Sequence, residues 1–167
     1  CQTNPARKIK IHSTAAPHIK EVYTEAQMEI AKAWFVQAMP EVVLALETGV
    51  RRGELCGFLK SDFAPRRHLY QVARAVRRGQ AGPELGEPKA HSRRTNPLSP
   101  HAQQAYDLLC ARYPDSPYLV PGPDGGLMRP DTWSRRLKAE MERLAAAHPD
   151  LPQLTAHELR HTYGTSL

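Results

Sequence analysis

The sequence predicts a single, mostly helical domain that contains one β-hairpin. Several segments carry apolar residues at helical spacing, which indicates helices with one face toward a core. One segment, 68–98, has two β-rich stretches on either side of a Gly/Pro-rich loop, which indicates the hairpin. At 167 residues, 41% of them hydrophobic, the chain is long enough for one domain with a substantial core.

The first predicted helix follows a polar, basic segment. Residues 1–20 contain two prolines and have the composition of an interdomain linker, so the folded domain is expected to be 21–167. Thr24 and Gln27 predict a capping box, which opens a helix that is broken at Pro40. The apolar side chains expected to face the core are Met28, Ala31, Trp34, Phe35 and Ala38.

A second helix, 41–48, is nearly all apolar and is predicted to end before a left-handed turn at Gly49, where a residue without Cβ turns cheaply. A short helix then starts, with Arg51 in its first turn. Glu54 lies three residues later on the same face, so its carboxylate can hold the guanidinium in one orientation. A surface Arg–Glu pair of this kind is also common without any function.

The hairpin is predicted from a first strand in 68–78, a loop in 79–88 and a second strand in 92–98. Lys89 stands where the loop re-enters the sheet. Beyond it, Pro100–Arg112 and Pro130–Ala147 are predicted helices, and 116–126 is a short extended piece and a turn. Their core-facing residues are Ala105, Leu108 and Leu109 in the first helix and Trp133, Leu137, Met141 and Leu144 in the second.

The last thirteen residues, TAHELRHTYGTSL, predict a helix whose start suits an anion. Thr155 and Glu158 form a second capping box, with His157 in the first turn and Arg160 on the same face. Free backbone N–H groups and the positive end of the helix dipole join the imidazole and the guanidinium there. A basic helix end with a buried His is the functionless alternative.

The same letters also match H-E-x-x-H, the helix motif of zinc proteases. Three features weigh against this interpretation. Glu158 is explained by the capping box, Arg160 would bring a cation toward the metal, and only six residues follow His161. We therefore expect no metal at this helix.

The charge of the chain favours an anionic partner. The net charge is +6 and the isoelectric point is near 9.4. Residues 51–94 contain eleven Lys and Arg against four acids, a net +7, which predicts a surface that faces DNA. Arg52, Arg93 and Arg94 are the candidate DNA-binding residues in this segment, although a merely solvated surface would have the same composition.

The sequence lacks the patterns that mark disulfide-rich, membrane-bound or nucleotide-binding proteins. Three cysteines without a C-x-x-C pair favour a reducing cytoplasm and argue against disulfides or a zinc knuckle. The sequence has no signal peptide, no basic amphipathic helix for a membrane surface, and no apolar run longer than Val42–Leu46. It contains no G-x-G-x-x-G or P-loop pattern, so we expect no nucleotide cofactor.

In this order, TGVRRGEL, PKAHSRRT and HELRHTYGTSL resemble the tyrosine recombinases, or phage-type integrases. The resemblance covers nearly the whole chain. It implies an α/β, mainly α, catalytic domain with a small antiparallel β-sheet, which cleaves and rejoins double-stranded DNA through a 3′-phosphotyrosyl intermediate without a cofactor. The implied role is integration or excision of a mobile element or prophage, with self-association on DNA and no small-molecule substrate.

The resemblance also implies a role for individual residues. Arg51 and Arg160 match the two catalytic arginines that contact the non-bridging oxygens of the scissile phosphate. Glu54 matches the acidic residue that steadies the first arginine. Lys89 matches the hairpin lysine that protonates the departing 5′ oxygen, with Lys60, nearby in the sequence, as the alternative. His157 matches the residue that assists proton transfer and contacts the phosphate.

The family pattern continues with a His or Trp box and a nucleophilic tyrosine, and this sequence stops at Leu167 before either. Tyr163 stands where the family has a packing aromatic, so we expect it in the core. The chain is therefore expected to be a C-terminally truncated catalytic domain that binds DNA without cutting it. A type IB topoisomerase-like enzyme and a non-catalytic DNA-binding module of the same fold are the alternatives.

Overall fold

The computed structural model describes residues 21–79, 82–88 and 92–165, and the predicted linker 1–20 lies outside them. Within these residues the chain forms six α-helices and five short strands. The helices are α1 (Glu25–Ala38), α2 (Pro40–Thr48), α3 (Arg52–Cys56), α4 (Pro100–Arg112), α5 (Pro130–Ala147) and α6 (Ala156–Thr165). The strands are β1 (Phe63–Ala64), β2 (Leu69–Val72), β3 (Ala75–Arg78), β4 (Pro83–Gly86) and β5 (Arg94–Pro97).

Helix α2 runs through the centre of the fold and packs against α1, α4 and α6. Every residue of it except Glu47 is buried, which explains why it reads as nearly continuous apolar sequence. Pro40 occupies the first turn, where its missing N–H costs nothing, so the helix begins one residue earlier than predicted. The turn at Gly49 is confirmed, with a φ of 57°.

Helix α1 begins with the predicted capping box. Thr24 Oγ1 accepts from the Gln27 N–H at 3.3 Å, and Gln27 Oε1 accepts from the Thr24 N–H at 3.0 Å. Its buried face is narrower than predicted. Met28, Ala31 and Phe35 are buried, but Ala38 is exposed, and Trp34 is half-buried and donates its indole N–H to Glu140 at 2.9 Å.

Helices α4 and α5 have the predicted bounds. All four predicted core residues of α5 are buried, and so are Ala105 and Leu109 of α4, while Leu108 is half-buried. In the part of the chain that the structure describes, no helix is both long and apolar enough to cross a bilayer.

The β-structure is more divided than the predicted hairpin. Strands β1, β2 and β5 form an antiparallel sheet in which Leu69 pairs with Pro97 and Val72 with Arg94. The predicted pairing of 68–78 with 92–98 is therefore confirmed for β2 and β5. The prediction of a loop at 79–88 is wrong, because Pro83–Gly86 forms β4 and pairs with β3 in a second, two-stranded sheet.

Candidate functional site

The site is built on the turn between α2 and α3. Gly49 ends α2 in the left-handed region, and Arg51 then becomes the N-cap of α3 rather than a residue of its first turn. Glu54, at the third position of α3, accepts from the Arg51 backbone N–H at 2.8 Å and from Arg51 Nη1 at 3.0 Å. The expected support of Arg51 by Glu54 is thus present, with the carboxylate buried and the guanidinium partly exposed.

A second arginine also binds this carboxylate. Arg94 of β5 donates from Nη2 to Glu54 Oε2 at 2.8 Å and from Nη1 to Oε1 at 3.2 Å. Burial alone would raise the pKa of Glu54, but hydrogen bonds from Arg94 and Arg51 outweigh it and leave that pKa below its ordinary value. Arg94, one of the predicted DNA-binding residues, therefore turns inward toward Glu54, and its contact with DNA stays a prediction.

Helix α6 begins with the predicted capping box. Glu158 Oε2 accepts from the Thr155 backbone N–H at 2.8 Å and from Thr155 Oγ1 at 2.7 Å. The carboxylate of Glu158, which a zinc protease would use as general base, thus caps the N-terminus of α6. Among the residues with described positions, no three His, Cys, Asp or Glu side chains are grouped to hold a metal ion.

Arg160 reaches from α6 to the turn that carries Arg51, where its Nη1 donates to the carbonyl of Gly49. Burial, and then the nearby charges of Arg51 and Arg94, lower the pKa of Arg160, while Glu54 acts in the opposite direction. Three guanidinium groups therefore lie close enough to repel one another, with a single carboxylate among them. Such a cluster lowers its electrostatic energy by binding an anion.

His157 precedes Arg160 by one helical turn and contacts a second histidine. The Nε2 atoms of His157 and His161 are 2.9 Å apart, and the rings meet edge to face. One of these nitrogens must carry a proton and donate it to the other, so the tautomers of the two rings are linked.

These residues surround one concave surface. Arg51, His157 and Arg160 line a pocket of about 900 Å³, into which Arg52 also faces and whose apolar wall includes Leu137. Arg94 joins His157 and Arg160 around an adjacent pocket of about 460 Å³. The structure thus brings together three of the four predicted catalytic residues, and the fourth, Lys89, lies outside the described residues.

The two remaining predicted DNA-binding residues make their ion pairs outside the cluster of guanidinium groups. Arg93 is exposed and pairs with Glu87 at 3.0 Å. Arg52 donates to Ser134 Oγ at 2.9 Å and lies 3.4 Å from Asp131, at the start of α5.

Beside Arg52 is a second basic groove of about 450 Å³, which combines Arg77 and Arg78 of the predicted basic segment 51–94 with Arg129 from outside it. We call it the arginine groove, and its basic residues are Arg52, Arg77, Arg78 and Arg129. They come from α3, from β3 and from the N-cap of α5, which are far apart in the sequence, so no local pattern could have assembled them.

Tyr163 lies against the Gly49 turn. A Cβ added at Gly49 would be 2.2 Å from Tyr163 Cδ1, which shows how closely the ring covers the backbone there. The side chain is half-buried and also lines the smaller pocket. Its packing role is thus visible, although it is less buried than a core residue.

The fold matches solved DNA recombinases. The chain is similar to the Tn1549 transposon integrase in complex with a circular intermediate DNA, with a TM-score of 0.78, 23% identity, and coverage of 89% of this chain and 53% of that chain. It is similar to the XerA recombinase, with a TM-score of 0.69, 20% identity, and coverage of 90% of this chain and 52% of that chain. It is also similar to a lambda integrase dimer bound to a core site, with a TM-score of 0.59, 16% identity, and coverage of 92% of this chain and 54% of that chain.

The chain therefore has the fold of a tyrosine recombinase catalytic domain, and the predicted fold class is confirmed. It spans about half the length of these solved chains. No protein-family model matches the chain, and no curated protein sequence is significantly similar to it.

Proposed function

We propose that this chain belongs to the catalytic domain of a tyrosine-type site-specific recombinase and holds the scissile phosphate of double-stranded DNA. The observation that carries the proposal is the convergence of Arg51, His157 and Arg160 on one pocket, with Arg51 held by the buried carboxylate of Glu54. The fold supports it, because solved proteins of this fold were determined with DNA bound.

In the proposed reaction, a tyrosine oxygen forms a bond to the scissile phosphorus, and the bond from phosphorus to the 5′ oxygen breaks. Negative charge grows on the non-bridging oxygens in the transition state, and the guanidinium groups of Arg51 and Arg160 stabilise it. Removal of one preorganised donor at such a site costs about 3 to 4 kcal/mol, or roughly 10²–10³ in rate.

Two further residues serve the proton transfers. The proposed donor to the departing 5′ oxygen is Lys89. His157 contacts the phosphate and assists proton transfer, and its hydrogen bond to His161 gives it a partner that can adjust its tautomer. In this proposal Tyr163 is a packing residue of the Gly49 turn and is not the nucleophile.

The proposed biological role is integration or excision of a mobile element in the cytoplasm, by strand exchange between copies that associate on DNA. The transposon integrase among the similar structures supports the mobile-element part. The net +7 of residues 51–94 supports DNA as the partner.

The test uses the complete open reading frame that contains this chain, and a nicked suicide duplex that carries an end of the element. Arg51→Ala and Arg160→Ala are each expected to cut covalent protein–DNA attachment by about 10²-fold or more, while duplex binding weakens much less. Arg143→Ala is the control, because it removes the same charge from an exposed side chain, which pairs with Glu140 near the end of α5.

Attachment at the wild-type level in either site variant would remove that arginine from the site. Binding without any attachment in the wild-type protein would favour the non-catalytic DNA-binding module. Resealing in place without strand exchange would favour a topoisomerase-like enzyme.

A further inference from the structure

The carboxylate of Glu54 is shared between two arginines that come from distant parts of the chain. Oε1 accepts from Arg51 Nη1 and Arg94 Nη1, and Oε2 accepts from the Arg51 backbone N–H and Arg94 Nη2. The side chain of Glu54 is 1% exposed, so these four donors replace water around the carboxylate. Arg94 therefore supplies half of the hydrogen bonds that fix the group on which the orientation of Arg51 depends.

The charges explain why a second arginine is needed. With Arg51 as its only partner, the negative charge of Glu54 would cancel the positive charge that Arg51 presents to a phosphate. Arg94 offsets that carboxylate, so the three groups together keep one positive charge. Arg160 beside them adds a second.

The hydrogen bonds of Arg94 are directed mainly to Glu54. Both of its Nη atoms donate to the carboxylate, and Nη1 also donates to the Ser92 carbonyl at 3.3 Å. A guanidinium has five N–H donors, so most of this fork is committed within the protein. Arg51, by contrast, uses only one Nη atom on Glu54 and has a more exposed side chain, 43% against 29%.

We propose that Arg94 is a positioning residue of the phosphate site: it binds Glu54 through both Nη atoms, fixes the carboxylate that orients Arg51, and leaves Arg51 its positive charge for the ligand. This inference rests on the proposed function, because that function makes the ligand a DNA phosphate. If the contact of Arg94 with Glu54 only held β5 against α3, its loss would lower the stability of the fold and leave phosphate affinity unchanged.

The experiment titrates inorganic phosphate into the ¹⁵N-labelled 167-residue chain and follows the side-chain Nε–Hε signals of Arg51 and Arg160 by NMR. In the wild-type chain both signals are expected to move saturably. Arg94→Ala is expected to weaken phosphate binding about tenfold, the loss that corresponds to about one charge-assisted hydrogen bond. It should also shift the Arg51 signal before any phosphate is added, because the carboxylate is no longer held.

Two variants separate orientation from charge. Arg94→Lys keeps the charge but cannot make the bidentate fork, so it should recover part of the affinity without restoring the Arg51 signal. If Arg94→Ala does not fold, Arg94→Lys takes its place in the titration. Arg143→Ala removes the same charge from an exposed residue of α5 and should change the affinity less than about twofold.

A double-mutant cycle with Glu54→Gln decides whether Arg94 acts through Glu54. In the Glu54→Gln background, Arg94→Ala should cost less than about twofold. An equal cost in both backgrounds would mean that Arg94 acts on the ligand by itself and would overturn the inference. Wild-type affinity in folded Arg94→Ala would overturn it too. If neither Arg51 nor Arg160 responded to phosphate in the folded wild-type chain, the proposed function itself would fail.

Discussion

Gly49 shows how much of the site depends on one residue without a side chain. Its φ of 57° turns the chain from α2 into α3 and so places Arg51. Its carbonyl accepts the hydrogen bond from Arg160, and the ring of Tyr163 covers its Cα. Both arginines of the proposed phosphate site are therefore positioned by the backbone of this turn.

Gly49→Ala is expected to lower the free energy of unfolding by about 2 to 4 kcal/mol. The left-handed conformation costs an L-residue about 1 to 2 kcal/mol, and the new methyl group would collide with Tyr163 in a packed region. Chemical denaturation monitored by circular dichroism measures the change. Gly164→Ala in α6 is the control, because its Cβ meets no atom within 4 Å, and it should leave stability unchanged or slightly raised.

The sources of this cost can be separated. Addition of Tyr163→Ala to Gly49→Ala removes the collision but not the backbone strain. The double variant should therefore be less unstable than the sum of the two single variants. Strict additivity would show that the ring does not limit the space at Gly49.

At the scale of single residues, the sequence located the catalytic candidates but not all of their partners. Arg51 and Glu54 are three residues apart, and Thr155 and Glu158 likewise, so both contacts follow from helix geometry. The contact of Arg94 with Glu54 spans 40 residues and depends on the register of β5 against β2, which no local pattern specifies.

At the scale of elements, helices were predicted more accurately than strands for a physical reason. Capping boxes, prolines in first turns and apolar stripes are local signals, and they gave α4 and α5 their bounds. Strand β4 lacks such a signal, because none of its residues is buried and its one large apolar residue, Leu85, is 38% exposed. Strand β4 is stabilised by its pairing with β3, and an alternation of apolar and polar residues in the sequence does not reveal that pairing.

Helix α2 carries a buried acid whose ionisation is costly. Glu41 is fully buried, neither carboxylate oxygen has a hydrogen-bond partner among the described residues, and the nearest cation, Arg136, is 3.5 Å away. Burial raises the pKa of Glu41 above its ordinary value, although its own backbone N–H, Arg136 and Arg112 act in the opposite direction. The unfolded chain therefore loses this proton at a lower pH than the folded chain does.

Glu41→Gln is expected to stabilise the protein at pH 7 by an amount of the order of 1 kcal/mol, because the folded state no longer bears a buried carboxylate. The gain should disappear as the pH falls to about 4 and below, where the acid is protonated in both states. Urea unfolding at both pH values measures it. Glu29→Gln, on the exposed face of α1, is the control and should change stability little at either pH. If Glu41→Gln stabilised the protein equally at both pH values, the charge of Glu41 would not be the cause.

On the scale of the whole molecule, the arginine groove extends the positive surface beyond the phosphate site. Arg52 lines both the main pocket and this groove, so the two surfaces are continuous. A duplex whose scissile phosphate is bound by Arg51 and Arg160 would bring neighbouring phosphates toward Arg77, Arg78 and Arg129.

Binding of a duplex should therefore depend steeply on salt, with a slope of log K against log salt of about −0.9 for each neutralised phosphate. Arg77→Ala with Arg78→Ala should flatten this slope by up to about 2 and weaken all sequences alike, because contacts to phosphates carry no sequence information. The expected affinity is about 10⁻⁴–10⁻⁶ M, as for non-specific complexes.

Fluorescence anisotropy with a labelled duplex, across salt concentrations and with and without a chelator, measures the affinity, the salt slope and the change of that slope in the double variant. Arg143→Ala, which removes one positive charge near the far end of α5, should leave the slope unchanged. A slope as steep in the double variant as in the wild type would place the DNA elsewhere, and loss of binding in the chelator would restore the zinc interpretation of the α6 histidines.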